Sequence, residues 1–261
     1  MKNDPYNVII LAGGAAESLT NGTGVDEKAS LTIHDQPMLA WVLNAFQKSP
    51  EAGNLVVVGA DNLDKLRCME HVRKRIVQGL SVVQNLLHAV GYIKTRFYKG
   101  ESEHQGYIIS FGDTVFLTPE IVTETLQAIR EADADIVMHY VERQTFVDAN
   151  LPAERTYIPI GGKLYTGTGI YYVRKFSKIF SSLNELVEMR KQRKDPKGIL
   201  RVIGCEGDDF PAIEKALSKR LDAKVKILVS PHAGMGMDVD KPSDYALARK
   251  ILPSPLTEDL L

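Results

Sequence analysis

Asn7-Val8-Ile9-Ile10-Leu11-Ala12-Gly13-Gly14 is a short apolar run that ends abruptly in residues without bulk. It reads as a buried strand whose C-terminal end opens into a loop. Gly13 and Gly14 put no side chain in the way of a close backbone approach and tolerate positive φ. Successive backbone N–H groups in such a loop converge on an anion, which makes it a candidate phosphate cradle, and Lys28 is a candidate cation for the same phosphates. The spacing fits neither a P-loop, which needs Gly-Lys-Ser/Thr together, nor the dinucleotide fingerprint Gly-x-Gly-x-x-Gly. A Gly-Gly after a strand also makes an ordinary tight turn. The rest of the chain has to decide between the two.

Composition narrows the classes. The 261 residues are 44% hydrophobic and 25% charged, as in ordinary globular proteins. A formal net charge of -1 gives no general attraction to nucleic acid or to an anionic membrane, so phosphate binding has to be a local arrangement. Cys68 and Cys205 form no CxxC, which argues against a disulfide framework or a structural zinc site, and the six histidines show no metal-ligand spacing. No apolar stretch approaches the about 20 residues that span a bilayer. Met1-Lys2-Asn3-Asp4-Pro5 is not the start of a signal peptide, so a cytoplasmic location is expected. Self-association, as a homo-oligomer, is left open.

The first half alternates strand and helix patterns. Pro37 to Phe46 has helical spacing, Asn54 to Ala60 is a second apolar strand, and Asn62 to Val72 is expected to be helical. Ser81 to Phe97 follows as a helix and Tyr107 to Phe111 as a strand that ends at Gly112-Asp113. Thr118 is expected to cap a helix with Pro119 at its first position, and Asp135 to Val141 is a further strand. Such alternation predicts a largely parallel sheet covered on both faces. The second half is less regular. Tyr157 to Val173 reads as two short strands joined through Gly161-Gly162. Phe176 to Arg193 and Asp209 to Leu221 read as helices, Lys224 to Val229 as a strand and Lys241 to Ile251 as a closing helix. The stretch at about 176–223 is expected to be a helical insertion within one domain spanning residues 1–261.

Chemistry on a nucleotide's phosphates needs a cradle, a cation and carboxylates that hold a divalent metal. In open α/β sheets ligands bind beyond the carboxyl ends of the strands, where Asp113 is expected to lie. Near the C-terminus, Met237-Asp238-Val239-Asp240-Lys241-Pro242 places two carboxylates at period two, on one face of an extended segment. Asp240 also precedes a helical pattern, so capping and metal binding compete for it. A Mg²⁺ site built from Asp113 and Asp240, with Asp238 as the alternative, is the sharper expectation.

These residues carry a resemblance. Leu11-Ala12-Gly13-Gly14, then Lys28-Ala29-Ser30-Leu31 and Gln36-Pro37-Met38-Leu39, resembles the opening of the MobA-like nucleotidyltransferases. Gly112-Asp113-Thr114-Val115-Phe116-Leu117-Thr118 resembles that group's metal-binding Gly-Asp-x-Pro-hydrophobic motif, and Asp238-Val239-Asp240-Lys241-Pro242-Ser243-Asp244-Tyr245 its late Asp-Thr-Pro-Glu-Asp-Leu motif. The resemblance implies a three-layer α/β/α domain with a mixed, mostly parallel sheet of about seven strands and a helical insertion. It implies transfer of a nucleoside monophosphate from an NTP to a small phosphorylated acceptor with release of pyrophosphate. Leu11, Ala12, Gly13, Gly14, Lys28, Gly79, Asn85 and Asp113 would bind the nucleotide. Thr166 and Gly167 would line the acceptor pocket, Lys28 and Asp113 would be catalytic, and Asp113 and Asp240 would hold Mg²⁺.

One departure stands out. The family loop commonly carries an Arg that grips the triphosphate, and here Ser18 stands at that position, beside Glu17. Losing a charge-assisted contact weakens phosphate binding by about 1.5–3 kcal/mol. Lys2, Arg155 and Lys163 are candidate replacements. The departure also motivates a second reading, a non-catalytic nucleotide or nucleotide-sugar binding protein on the same scaffold. A sugar transferase is disfavoured, because Gly112-Asp113-Thr114 supplies no Asp-x-Asp.

Overall fold

The computed structural model describes residues 4–14, 17–20, 25, 27–98, 106–152, 154–176, 182 and 195–253. All six residues of β1 (Tyr6–Leu11) are buried. Val8 and Ile10 enter one core cluster and Ile9 and Leu11 the other, which is why the strand reads as an unbroken apolar run. β1 lies parallel to both β4 (Ala52–Gly59) and β6 (Tyr107–Phe111), and β5 (Lys74–Val77) adds parallel to β4. On the other side β9 (Lys163–Val173) runs antiparallel between β6 and β7 (Ile136–Glu142), and β10 (Val225–Ser230) pairs parallel with β7. The order is β10-β7-β9-β6-β1-β4-β5, and β8 (Ile158–Ile160) pairs with β9 to complete an eight-stranded sheet. β2 (Thr32–Ile33) and β3 (Gln36–Pro37) form a separate small hairpin.

Helices cover both faces. α2 (Met38–Gln47) and α4 (Pro119–Ala132) pack into the first cluster, α3 (Val82–Ile93) and α7 (Phe210–Leu221) into the second. The short helices α1 (Glu17–Thr20), α5 (Arg143–Asp148) and α6 (Pro196–Val202), with the closing α8 (Pro242–Ile251), complete the three-layer α/β/α architecture. Thr118 caps α4 by accepting from the Ile121 N–H, with Pro119 in its first turn. Most of the helix expected over 176–193 lies outside the described residues.

Two expectations are corrected. Residues 62–72 do not form an α-helix but two 3₁₀ turns, Asp61–Lys65 and Arg67–Met69, broken by an extended Leu66. The apolar residues of this stretch, Leu63, Leu66, Met69 and Val72, recur every third position. Backbone bonds Leu66→Leu63, Met69→Leu66 and Val72→Met69 follow the same step, which is the pitch of a 3₁₀ helix. β9 is one strand of 11 residues rather than a short one. Its glycines mark a register slip against β7 between Met138 and Tyr140. A side chain at Gly169 would begin 2.2 Å from the Thr114 Cγ2 methyl, so this close approach needs glycine.

His139 sits at that slip, 4% exposed, and neither ring nitrogen makes a hydrogen bond of good geometry. Burial pushes its pKa down to about 4, against a small upward pull from the Ile170 backbone. The folded state therefore binds fewer protons than the unfolded chain between about pH 6.5 and 4. Stability is full above the unfolded pKa and is lost as pH falls toward 4, by about 3 kcal/mol in order of magnitude. Denaturant unfolding of the native chain and His139→Leu at pH 7 and pH 4 checks this. The acid-dependent loss should be smaller in the variant by that amount, and parallel losses would refute it.

Candidate active site

Because β1 and β6 are parallel, their carboxyl ends emerge side by side. The Gly112 N–H donates to the Leu11 carbonyl at 2.9 Å, and a Cβ on Gly112 would lie 3.1 Å from Ala12 Cα. The two strand-end turns thus pack with almost no gap, setting Asp113 next to Gly13-Gly14. Gly14 has φ 152, in the range that favours glycine, and its carbonyl accepts from the Lys28 N–H at 3.3 Å. Lys28 opens the 3₁₀ turn Lys28–Ser30, whose Ala29 is buried.

The Lys28 ammonium reaches two carboxylates at once. Nζ lies 2.5 Å from Asp113 Oδ2 and 2.5 Å from Asp240 Oδ1. Burial would lower the Lys28 pKa, but the two carboxylates outweigh it, and the ammonium holds its proton more tightly than an ordinary lysine. Side-chain exposure is 15% for Lys28 and 18% for Asp113, against 54% for Asp240, so the cluster opens to solvent on the Asp240 side. The Val239 N–H donates to the Asp113 carbonyl at 3.1 Å and stitches the late motif onto the end of β6.

The competition for Asp240 is resolved against capping. Lys241 occupies the cap position of α8, and the Asp244 carboxylate accepts from the Asp240 and Lys241 N–H groups at 3.3 and 3.2 Å. The Asp240 side chain is left to face Lys28. Asp238 turns to Arg155, 3.2 Å away. Burial and the neighbouring Asp240 and Asp113 carboxylates push the Asp238 pKa up to about 6, and Arg155 opposes them.

The remaining sequence candidates fall on either side of this cluster. The Gly79 N–H donates to Asn85 Oδ1 at 2.6 Å and the Leu80 N–H to Gln84 Oε1 at 2.9 Å, so the start of α3 holds the loop after β5 with its own side chains. Leu80 is 101% exposed at the loop tip. Thr166 is buried against Gly236, whereas Gly167 has open space where a side chain would stand. Lys163 pairs with Glu142 at 2.9 Å on the β8–β9 hairpin, and Arg155 faces aspartates. The side chain of Ser18, where the family's Arg is expected, and Lys2 lie outside what is described.

Several contributors escape a sequence reading. Gln78 lies over the cradle: a Cβ on Gly13 would sit 1.8 Å from its Oε1. Its amide donates to the buried Glu27 at 3.3 Å. Arg155, expected only as a stand-in for the loop Arg, and Asp244, read only within the late motif, also take roles that the sequence reading does not assign. Asp244, the third residue of α8, accepts from the N–H of the cap residue Lys241, which is one half of a capping box.

A glycine loop after β1, a lysine and a carboxylate after the adjacent β6 agree with a family model for the MobA-like NTP transferase domain, which matches residues 8–199. The chain belongs to the MobA-like NTP transferase family. Its general activity class is nucleotidyl transfer. No curated protein matches the sequence significantly. Among solved structures the fold is similar to a hypothetical transferase from Thermus thermophilus, with TM-score 0.75 and 23% identity over 92% of this chain and 99% of that one. It is also similar to Rv0371c from Mycobacterium tuberculosis H37Rv, with TM-score 0.53 and 12% identity over 95% and 100%. A CMP:2-keto-3-deoxy-manno-octonic acid synthetase complexed with CTP aligns with TM-score 0.55 and 16% identity over 94% and 96%. At these identities the likeness speaks for the fold. Among the described residues no helix is long and apolar enough to cross a membrane.

Proposed function

We propose that this chain is a Mg²⁺-dependent nucleotidyltransferase that moves a nucleoside monophosphate from an NTP to a small phosphorylated acceptor and releases pyrophosphate. The observation that carries the reading is the Lys28 ammonium held 2.5 Å from both Asp113 and Asp240, beside the Gly13-Gly14 loop. A point already shaped to hold a cation between two hard oxygen donors suits Mg²⁺. Among the described residues no group of three or more His, Cys, Asp or Glu side chains is arranged to hold a metal. That suits an ion which keeps several waters and takes one or two carboxylates plus phosphate oxygens. Asp113 and Asp240 would be its protein ligands, and when bound the ion would draw negative charge from the phosphate oxygens.

The chain's own groups supply the rest. The backbone of residues 12–14 would admit phosphates to within hydrogen-bonding distance once the Gln78 amide, which lies over Gly13, moves aside. Lys28 would exchange its carboxylate partners for the phosphates and oppose the charge that builds on pyrophosphate as it leaves. An acceptor phosphate oxygen would attack the α-phosphorus in line with that leaving group, so the rate comes from positioning and electrostatics.

The test is pyrophosphate release across the four NTPs with a panel of sugar, alditol and cofactor phosphates. One productive pair is expected, and its nucleotide should stabilise the fold by about 2.7 kcal/mol at 100 times its dissociation constant. Folded protein that releases no pyrophosphate and gains no stability from any NTP would refute the proposal. Ser18 in place of the loop Arg favours a second reading, a nucleotide-binding protein without turnover. Stabilisation without product would establish it.

A further inference from the structure

Asp238 and Asp240 are two residues apart, yet Asp240 bonds Lys28 and Asp238 bonds Arg155. What separates them is Arg155, delivered by the loop after α5 with a side chain only 10% exposed. Its guanidinium lies 3.2 Å from Asp238 Oδ1, 3.4 Å from the Asp238 carbonyl and 3.8 Å from Asp244 Oδ1. Asp244 in turn accepts from the Asp240 N–H, and the Val239 N–H is tied to the Asp113 carbonyl. The three-residue segment 238–240 is therefore gripped at both ends and in the middle.

We propose that Arg155 is a positioning residue that holds the Asp238 carboxylate off the cation site, so that Asp240 alone of the pair faces Lys28 and a bound metal. This rests on the reading of the site as a divalent-metal centre. A guanidinium is suited to the task because its planar fork meets a side-chain oxygen, a main-chain carbonyl and a second carboxylate from one fixed charge. An ammonium is a point charge that satisfies fewer of them. Without the fork, Asp238 loses the cation it pairs with. It is then free to turn to the Lys28 ammonium that Asp240 holds. A third carboxylate on that ammonium would hold it more firmly at the point a metal has to take, and so weaken metal binding.

The experiment measures Mn²⁺ binding by the loss of the free-ion electron paramagnetic resonance signal, in the presence of α,β-methylene analogues of the four NTPs. Arg155→Met is expected to weaken Mn²⁺ binding about tenfold, the lower end of what a lost outer partner does to a metal site. Arg155→Lys should fall between Arg155→Met and the native chain. Adding Asp238→Asn to Arg155→Met should restore most of the affinity, because the competing charge is gone. A packing role alone would lower the melting temperature and leave Mn²⁺ affinity where it was. That result, or a loss that Asp238→Asn does not rescue, overturns the proposal. A native chain that binds nucleotide analogue but no Mn²⁺ overturns the metal reading as well.

Discussion

Asp113→Ala should abolish metal-dependent turnover while the fold survives. The aspartate follows β6 directly, and Gly112 places it by its bond to the Leu11 carbonyl, a backbone contact that the substitution does not touch. The Val239 N–H bond also goes to the Asp113 main-chain carbonyl, so the late motif stays attached to the sheet in the variant. What is removed is one of the two carboxylate oxygens 2.5 Å from Lys28, and with it one of the two proposed protein ligands of the metal. Removing a single charge-stabilising group from such a centre lowers the rate by about 10²–10³-fold. Loss of the ion itself would take it further, since the ion supplies several kcal/mol of charge stabilisation. Steady-state pyrophosphate release, with circular dichroism as the control for folding, reads both halves. Full activity in a folded Asp113→Ala would remove this residue from the metal centre.

Much of this site is legible in the chain because the relevant signals are local. The run Val8-Ile9-Ile10-Leu11 is apolar throughout because both faces of β1 are buried, and that marks the end of the strand sharply. Tyr107 to Phe111 does the same for β6, so Asp113 at the sheet's carboxyl edge follows from pattern alone. The readings that failed involve geometry that local patterns do not fix. Apolar residues at every third position between Leu63 and Val72 fit a helix template loosely. They match a 3₁₀ pitch better, and only the backbone bonds decide it. The length of β9 depends on a slip against β7, a pairing between segments about 30 residues apart. The sequence offers Arg155 only as a stand-in cation for phosphate, and its pairing with aspartates is not legible in its own neighbourhood. Its partner Asp238 lies 83 positions away, and nothing in Pro152 to Thr156 announces it. The same holds for Gln78, whose role over Gly13 exists only because β1 and the end of β5 are brought to one edge by the strand between them.

Lys28→Met separates the two tasks that the site assigns to one ammonium. Methionine keeps length and apolar contact but no charge, so the buried stem remains filled. On the proposed mechanism the variant loses the cation that meets the leaving phosphates, and turnover should drop by about 10²–10³-fold. Metal binding in the absence of nucleotide should move the other way. In the free protein Lys28 Nζ occupies the point between Asp113 Oδ2 and Asp240 Oδ1, and a divalent ion must displace it. Without the ammonium, that point is a pair of carboxylates that have lost their shared cation. The metal-free variant should therefore be less stable, by about 1–3 kcal/mol for ion pairs that are neither fully exposed nor fully buried. Millimolar Mn²⁺ should return that stability, and the free-ion resonance signal should show tighter binding than in the native chain. A variant that keeps its turnover and binds Mn²⁺ no better would mean that Lys28 neither serves the phosphates nor stands in for the metal. The two carboxylates would then owe their arrangement to the fold alone.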